Sequence, residues 1–409
     1  MQTNLAAFIR DTSEGREADA ILRKCVHCGF CTATCPTYQI NFDELDGPRG
    51  RIYLIKEVLE GKRATATTRL HLDRCLTCRS CETTCPSGVQ YGRLADIGRA
   101  VVERQVPRSA TERATRYALS KGLRSKALFG AALLFGRAAR GVLPTSLARK
   151  VPRAQPAGAW PPPRHERRVI VVLGCVQPTI APSIDAAFAR VVDRIGISAV
   201  GMSGSGCCGA LPYHLNEQQE GLDLVRRNVD AWWPAIEQGA EAIVTTSSGC
   251  GVMVKDYGHL LADDPAYKAK AARVAELARD PVEVIGGEWK RIAARVAMDR
   301  GSQRIAFHPP CTLQHGMKLK GRVEEILRAI GHEVVPIADP HLCCGSAGTY
   351  SILQPELAEE LKRRKLASMQ AERPAVIVSA NIGCQTHLAT GTSRPVRHWI
   401  EMLDEKMLN

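Results

Sequence analysis

Two cysteine runs constrain this chain more than anything else in it. Cys25, Cys28, Cys31 and Cys35 precede Pro36, and Cys75, Cys78, Cys81 and Cys85 precede Pro86, so C-x2-C-x2-C-x3-C-P occurs twice. A cube of iron and sulfur needs four thiolates converging on its corners. Two-residue gaps let one tight loop supply three of them, and the fourth cysteine, turned away by the proline, reaches a different cluster. The expected sets are therefore crossed: Cys25, Cys28, Cys31 and Cys85 for one [4Fe-4S] cluster, and Cys75, Cys78, Cys81 and Cys35 for the other. A zinc knuckle uses two cysteine pairs and has no use for a third C-x2-C step. His27, between two of the cysteines, reads as a neighbour of the cluster rather than a ligand. Lys24, directly before Cys25, is a cation that favours the reduced state.

At 409 residues the chain has room for two to three domains. Its first twenty residues show no apolar signal core and no cleavage pattern, so the sixteen cysteines are expected in a reducing cytoplasm rather than in disulfides. The longest apolar run, Ala127 to Gly136, is too short to span a bilayer. Almost all of the +13 net charge sits in residues 101–168, where fifteen Arg and Lys face only Glu103, Glu112 and Glu166. This connector reads as a solvated basic surface or as a dock for an acidic partner or an anionic membrane face. Its few aromatics, Tyr117, Phe129, Phe135 and Trp160, are scattered and belong to no binding module, so no nucleic acid is expected.

Between the two runs, Gly47-Pro48 breaks the chain, and Ile52, Leu54, Ile55, Val58 and Leu59 then share one helical face. A second helix, from about Leu94 to Gln105, closes the cysteine-run domain. Tyr117 to Arg140 has helical spacing, and GAWPPPRHERR is a stiff linker. Beyond it the sequence repeats. VIVVLGC ends in Cys175, Cys207-Cys208-Gly209 follows, and AIVTTSSGC ends in Cys250; RIAFHPPC ends in Cys311, Cys343-Cys344-Gly345 follows, and AVIVSANIGC ends in Cys384. Helical segments recur in step, Ser183 to Ile195 with Gly321 to Ile330 and Glu217 to Trp233 with Pro355 to Met369, which marks a duplication.

Strands alternating with amphipathic helices imply a mainly parallel sheet, with ligands gathered at the carboxyl ends of its strands. The eight repeat cysteines are expected there, as a second set of candidate metal ligands. Four histidines near them, His308, His315, His341 and His387, read first as structural and second as proton relays or donors to the ligands. Gly204-Ser205-Gly206-Cys207-Cys208-Gly209 matches the dinucleotide fingerprint, but the second copy keeps only Cys-Cys-Gly, so the cysteine pair is what the duplication preserves. The expected organisation is a small, mainly helical two-cluster ferredoxin-like domain (1–105), a basic helical connector with a Pro-rich linker (106–168), and two α/β cysteine-rich repeats (169–300 and 301–409). The fold class is thus a multidomain α+β and α/β chain.

The two cysteine runs, the link DGPRGRIYLIKEVLEG and the two Cys-Cys-Gly repeats, in that order, resemble the iron-sulfur subunits of bacterial glycolate oxidases over essentially the whole chain. The resemblance implies an electron-transfer subunit that takes electrons from a flavoprotein partner. The FAD is then on that partner, which oxidises glycolate to glyoxylate, with D-lactate as a second substrate, and the electrons pass to an acceptor other than oxygen. It implies no catalytic residue in this chain, two [4Fe-4S] clusters with one or two more in the repeats, and a place in the cytoplasm or on the inner face of its membrane. Subunits of anaerobic glycerol-3-phosphate dehydrogenase, of lactate-utilisation complexes and of heterodisulfide reductase stay open as alternatives, with an iron-sulfur nucleic-acid sensor behind them. Heterodisulfide-reductase repeats end in C-x-x-C, whereas Ser247 and Asn381 stand at the first of those positions here. Each repeat therefore offers four thiolates rather than five.

Overall fold

The computed structural model describes residues 1–297 and 301–408; the expected repeat boundary at residue 300 and the terminal residue 409 lie outside them. The chain forms two compact units, one of residues 1–116 with 339–365 and one of residues 117–338 with 366–409. This division differs from the four consecutive segments read from the sequence. The segment carrying Cys343 and Cys344 belongs to the unit of the two cysteine runs, because its contacts within that unit, such as the Tyr350 hydroxyl donating to the Arg74 carbonyl at 3.0 Å, are between residues far apart in sequence.

In the first unit, helix Ser13–Lys24 is capped by the Thr12 hydroxyl, which accepts from the Gly15 amide, and buries Ala18, Ile21 and Leu22. It stops at Cys25, where the backbone turns extended, so the first ligand run begins as the helix ends. Helix Pro48–Leu59 opens with proline, whose missing N–H is no loss in a first turn. Its expected apolar face is buried at Ile52, Ile55, Val58 and Leu59, with Leu54 half-buried, against Leu94, Val101 and Val102 of helix Tyr91–Gln105. Each of these aliphatic side chains contributes about 1.5–3 kcal/mol by leaving water, enough together to hold the two ligand loops against one frame.

The second unit contains two four-stranded parallel sheets of identical topology. Strands β1 (Arg167–Val171), β2 (Ile197–Gly201), β3 (Ala242–Val244) and β4 (Ala278–Arg279) lie in the order β2-β1-β3-β4. Strands β5 (Arg304–His308), β6 (Glu333–Val334), β7 (Val376–Ser379) and β8 (Val396–His398) lie in the order β6-β5-β7-β8. The repeated helices are Ser183–Asp193 with Arg322–Ala329 and Gln218–Glu237 with Pro355–Gln370, close to the expected spans. One core runs through both repeats and includes Val171, Phe188 and Val244 of the first with Phe307, Val378 and Trp399 of the second. Arg190 and Arg194 of the first repeat both reach Asp404 of the second at 2.6 Å.

In each sheet the chain leaves the first strand toward one neighbour and later returns on the other side of it. The carboxyl ends of β1 and β3, and of β5 and β7, therefore flank a crevice where open α/β sheets bind ligands. The connector forms helices Ala110–Arg124 and Lys126–Ala138. Among the described residues no helix is long and apolar enough to cross a membrane.

Candidate metal centres

The two ligand runs have the same backbone shape. The residues on either side of the second cysteine are left-handed in both, His27 (φ 56°) and Gly29 (φ 87°) in the first, Thr77 (φ 51°) and Arg79 (φ 58°) in the second. Alternation of this kind turns successive amides toward one concave face, the shape that receives an anion. In the first run glycine takes one of these positions without strain. The β-branched Thr77 is a poor fit to that region, and it is held there by the Arg99 guanidinium, which donates to its hydroxyl at 2.9 Å.

Two recesses result. One, of about 440 Å³, is lined by Cys25, Cys28, Cys31 and Cys85, with Cys81 at its back and Val26 and Phe30 on its lip. The lip is open to solvent: Val26 is 68% and Phe30 61% exposed. The other, of about 360 Å³, is lined by Cys35, Cys75, Cys78 and Cys81, with Arg51, Thr77 and Tyr91. The fourth cysteine of each run thus lies in the recess of the other run. Four soft thiols on one wall, backed by left-handed loops, fit an iron-sulfur cube at both places. His27 directs its ring to the Met1 sulfur and to the edge of Tyr53. Lys24 is exposed.

The electrostatics of the two recesses differ. Burial pushes the Cys31 thiol of the first up to about 11. At Cys75 of the second, burial acts in the same direction, but the Arg51 and Arg99 guanidiniums outweigh it and hold the thiol below its ordinary value. Arg51 is 1% exposed; it donates to the Thr37 hydroxyl at 3.1 Å and approaches the Cys35 sulfur at 4.0 Å. Arg99 donates to the Cys75 carbonyl at 2.6 Å. Asp46, fully buried, receives Arg51, Arg74, His71 and Asn41. Asp43, Asp46 and His71 lie close enough to suggest a cation site, but the two guanidiniums already supply the positive charge.

In the first repeat the four thiols meet. Cys175 bonds to Cys207, Cys207 to Cys208 and Cys208 to Cys250. The hydrogen bonds from its two neighbours hold the Cys207 thiol far below its usual range, while Cys175 and Cys208, as the donors, are raised. The backbone of the pair is clamped: Asn228 donates to the Cys207 carbonyl at 2.8 Å, and Tyr257, stacked on Trp232, donates to the Cys208 carbonyl at 2.8 Å. In the second repeat Cys311 and Cys384 are buried in the second unit, and Cys343 and Cys344 in the first.

The expectation that these cysteines end strands needs correction. Cys175 and Cys311 follow β1 and β5 by a short loop, and Cys250 and Cys384 lie in the first turn of helices Ser248–Lys255 and Ile382–Ala389. A first turn carries unpaired amides and the positive end of the helix dipole. The Cys-Cys-Gly glycines have one cause in both copies. Gly209 (φ 91°) and Gly345 (φ 90°) are left-handed, and a Cβ there would stand 2.8 Å from the Gly221 carbonyl oxygen and 2.6 Å from that of Ala358. Within the fingerprint match at Gly204 to Gly209, only Gly209 meets a backbone atom this closely; a Cβ on Gly206 would meet the mobile end of Arg227. Of the repeat histidines, His308 and His315 are buried, and His341 and His387 are half-buried.

Comparison with known proteins agrees with this geometry. Residues 24–89 match the 4Fe-4S dicluster domain, and residues 169–255 and 305–389 match the cysteine-rich domain. The chain is 52% identical to the "Glycolate oxidase iron-sulfur subunit" of Escherichia coli over 100% of its own length and 99% of that protein. The chain belongs to the family of glycolate oxidase iron-sulfur subunits. A "Probable glycolate oxidase iron-sulfur subunit" of Bacillus subtilis is 29% identical over 94% of this chain and 92% of its own. "Lactate utilization protein A" of Bacillus licheniformis is 23% identical over 58% of this chain and all of its own. This family member is an iron-sulfur protein.

Sequence reasoning passed over Arg51, Arg99 and Thr37. Arg51 lies within the expected helix Pro48–Leu59 beside an apolar face, where a lone arginine reads as a solvated charge. The one available signal was its position next to Ile52 on that face.

Proposed function

We propose that this chain is the electron-transfer subunit of a flavin-dependent glycolate oxidase complex. Its flavoprotein partner carries FAD and oxidises glycolate to glyoxylate, with D-lactate as a second substrate, and the electrons leave for an acceptor other than oxygen. The observation that carries the reading is the pair of recesses, each walled by four cysteines drawn from both runs.

Cys25, Cys28, Cys31 and Cys85 would hold one [4Fe-4S] cluster, and Cys35, Cys75, Cys78 and Cys81 a second. Cys175, Cys207, Cys208 and Cys250 would hold a further one. Such clusters, when bound, accept and release single electrons without changing the protein's covalent structure. The chain's part is to fix them: the left-handed loops set the thiols, and the helices Pro48–Leu59 and Tyr91–Gln105 hold the two loops in register. The open lip at Val26 and Phe30 gives a partner access to the first recess.

The purified chain alone should not turn over glycolate with a dye acceptor; activity should require the flavoprotein. Turnover by the chain alone would overturn the reading.

Helix Lys126–Ala138 supports a peripheral place on the inner, anionic face of the cytoplasmic membrane. Leu128, Leu134 and Phe135 are 63%, 70% and 76% exposed on it, and Lys126, Arg137 and Arg140 flank them. Apolar insertion with cationic flanks is the chemistry of an interfacial helix, at roughly 1 kcal/mol per cation near anionic lipid. Salt-reversible sedimentation with anionic but not neutral vesicles is the expected result. Equal binding to both kinds, or to neither, excludes it.

A further inference from the structure

We propose that Arg51 is a positioning residue that holds up the reduction potential of the cluster in the Cys35, Cys75, Cys78 and Cys81 recess, and of that cluster alone. This rests on the reading that the recess holds a [4Fe-4S] cluster.

Reduction adds one electron and no proton, so the added negative charge must be met by charges already in place. Arg51 is 1% exposed and is fixed at both ends of its guanidinium. Nε donates to the His71 carbonyl at 2.7 Å, Nη2 faces Asp46 at 3.4 Å, and Nη1 is aimed at the cluster side, at Thr37 (3.1 Å) and the Cys35 sulfur (4.0 Å). The Thr37 hydroxyl, which donates to the Asp46 carbonyl at 2.8 Å, lies 3.3 Å from that sulfur and so stands between the cation and a ligand.

Asp46 does not cancel this charge. Its two oxygens also receive Arg74 at 2.9 Å, His71 at 2.8 Å and Asn41 at 2.6 Å, and Arg99 stands at the Cys75 carbonyl as a further buried cation. Around the second recess the Arg51, Arg74 and Arg99 guanidiniums thus gather on the Asp46 side, while Arg79 lines the wall with Glu82 next to Cys81. Around the first the side-chain cations are more exposed. Arg49 is 36% exposed at its side chain and spends two of its nitrogens on Glu44, while Lys24 is in solvent. Water and salt screen such exposed charges, whereas a buried cation acts at full strength on its neighbour.

The test is a potentiometric titration of the full-length, cluster-loaded chain followed by low-temperature EPR. Cys78→Ser identifies the signal of the second recess by deleting it. Arg51→Gln should move the midpoint of that same signal to a more negative potential and leave the other signal in place, and Arg51→Lys should retain most of the wild-type value. Thr37→Val keeps the cation but removes its link to the Cys35 sulfur; it should shift the midpoint in the same direction by less, and it carries the test if Arg51→Gln fails to fold. An unmoved midpoint in Arg51→Gln, or in Thr37→Val where it stands in, overturns the role of Arg51 while leaving the cluster assignment intact. Equal shifts of both signals also overturn it, because they report a general change of structure. If Cys78→Ser deletes neither signal, the cluster assignment fails and the proposal with it.

Discussion

The two cysteine-rich repeats have the same sheet order, the same left-handed glycine after the cysteine pair and the same placement of a thiol in a first helical turn. They differ in what surrounds the pair. In the first repeat all four cysteines lie in one compact unit, with Asn228 and Tyr257 clamping the Cys207 and Cys208 carbonyls. In the second, the segment with Cys343 and Cys344 is part of the unit built on the ligand runs, where Tyr350 is tied to the residue before Cys75. Duplication supplied a frame for thiols twice, and the second copy then lent part of its frame to the electron-carrying unit.

Removing the thiols gives the largest effect and the clearest way to break the comparison. The two ligand runs account for about eight irons, and a further cluster raises this to about twelve. An anaerobic iron assay of the wild type should give about twelve or more. Cys208→Ala should lose about four irons with both ferredoxin-type EPR signals retained, and Cys344→Ala should do the same if the second copy kept its metal. Loss from the first variant only would mean that the second pair has become structural. A wild type with only eight irons would reduce both repeats to a scaffold.

Not all of this was open to sequence reasoning. That the eight cysteines of the two runs gather around two recesses was legible because each run is a local loop, whose spacing decides which of its thiols can converge. The helices at Pro48–Leu59 and Tyr91–Gln105 and the duplicated α/β pattern were legible from periodicity. Arg51 was not, because its burial depends on His71 and Thr37 arriving from elsewhere in the chain as well as on the nearby Asp46. The place of Cys250 and Cys384 on helices was missed because β3 has only three residues, and AIVTTSSGC carries no mark of where its strand stops. The unit to which Cys343 belongs is a tertiary fact without a local signal.

Gly209→Ala and Gly345→Ala come next. Each forces a Cβ into left-handed backbone and within 3 Å of a helix carbonyl, so each should cost about 2–4 kcal/mol, read as a loss of denaturation midpoint under anaerobic conditions. The pair also sharpens the comparison. Gly345→Ala should disturb the ferredoxin-type EPR signals, because it sits in their unit, and Gly209→Ala should leave them as they are. Identical spectra for the two variants would deny the second copy its special position.

The repeats should also differ in their response to pH. Asp280, after β4, and His398, at the end of β8, cap equivalent helices, each in a capping box with a glutamate, and both are fully buried. Burial raises the Asp280 carboxyl to about 7 and lowers His398 to about 3. For Asp280 the folded value exceeds the unfolded one, so its contribution is full below about pH 4 and is lost as pH rises to 7. For His398 the folded value is the lower one, so its contribution is full above about pH 6.5 and is lost as pH falls toward 3. Either slope amounts to at most roughly 4–5 kcal/mol. Asp280→Asn should flatten the first slope and His398→Asn the second in thermal midpoints measured from pH 5 to 8. Two variants with the same pH profile would contradict the assignment.

The smallest effect concerns the positions where the heterodisulfide-reductase pattern has its extra cysteine. Ser247 and Asn381 are the N-caps of the two equivalent helices that carry Cys250 and Cys384, yet only Asn381 caps with its side chain, accepting from the Gly383 amide at 2.8 Å and the Cys384 amide at 3.3 Å. Its amide nitrogen also donates across the repeat interface to the Ser248 hydroxyl at 3.2 Å. Asn381→Ala should therefore lose about 1 kcal/mol for the cap and a little more for the cross-repeat bond, whereas Ser247→Ala should stay within about 0.5 kcal/mol of wild type. Equal losses would mean that the two helix starts remain energetic copies. Unequal losses in the expected order would show that the second copy exchanged a potential ligand for a structural cap, and that this asparagine helps to hold the two repeats together.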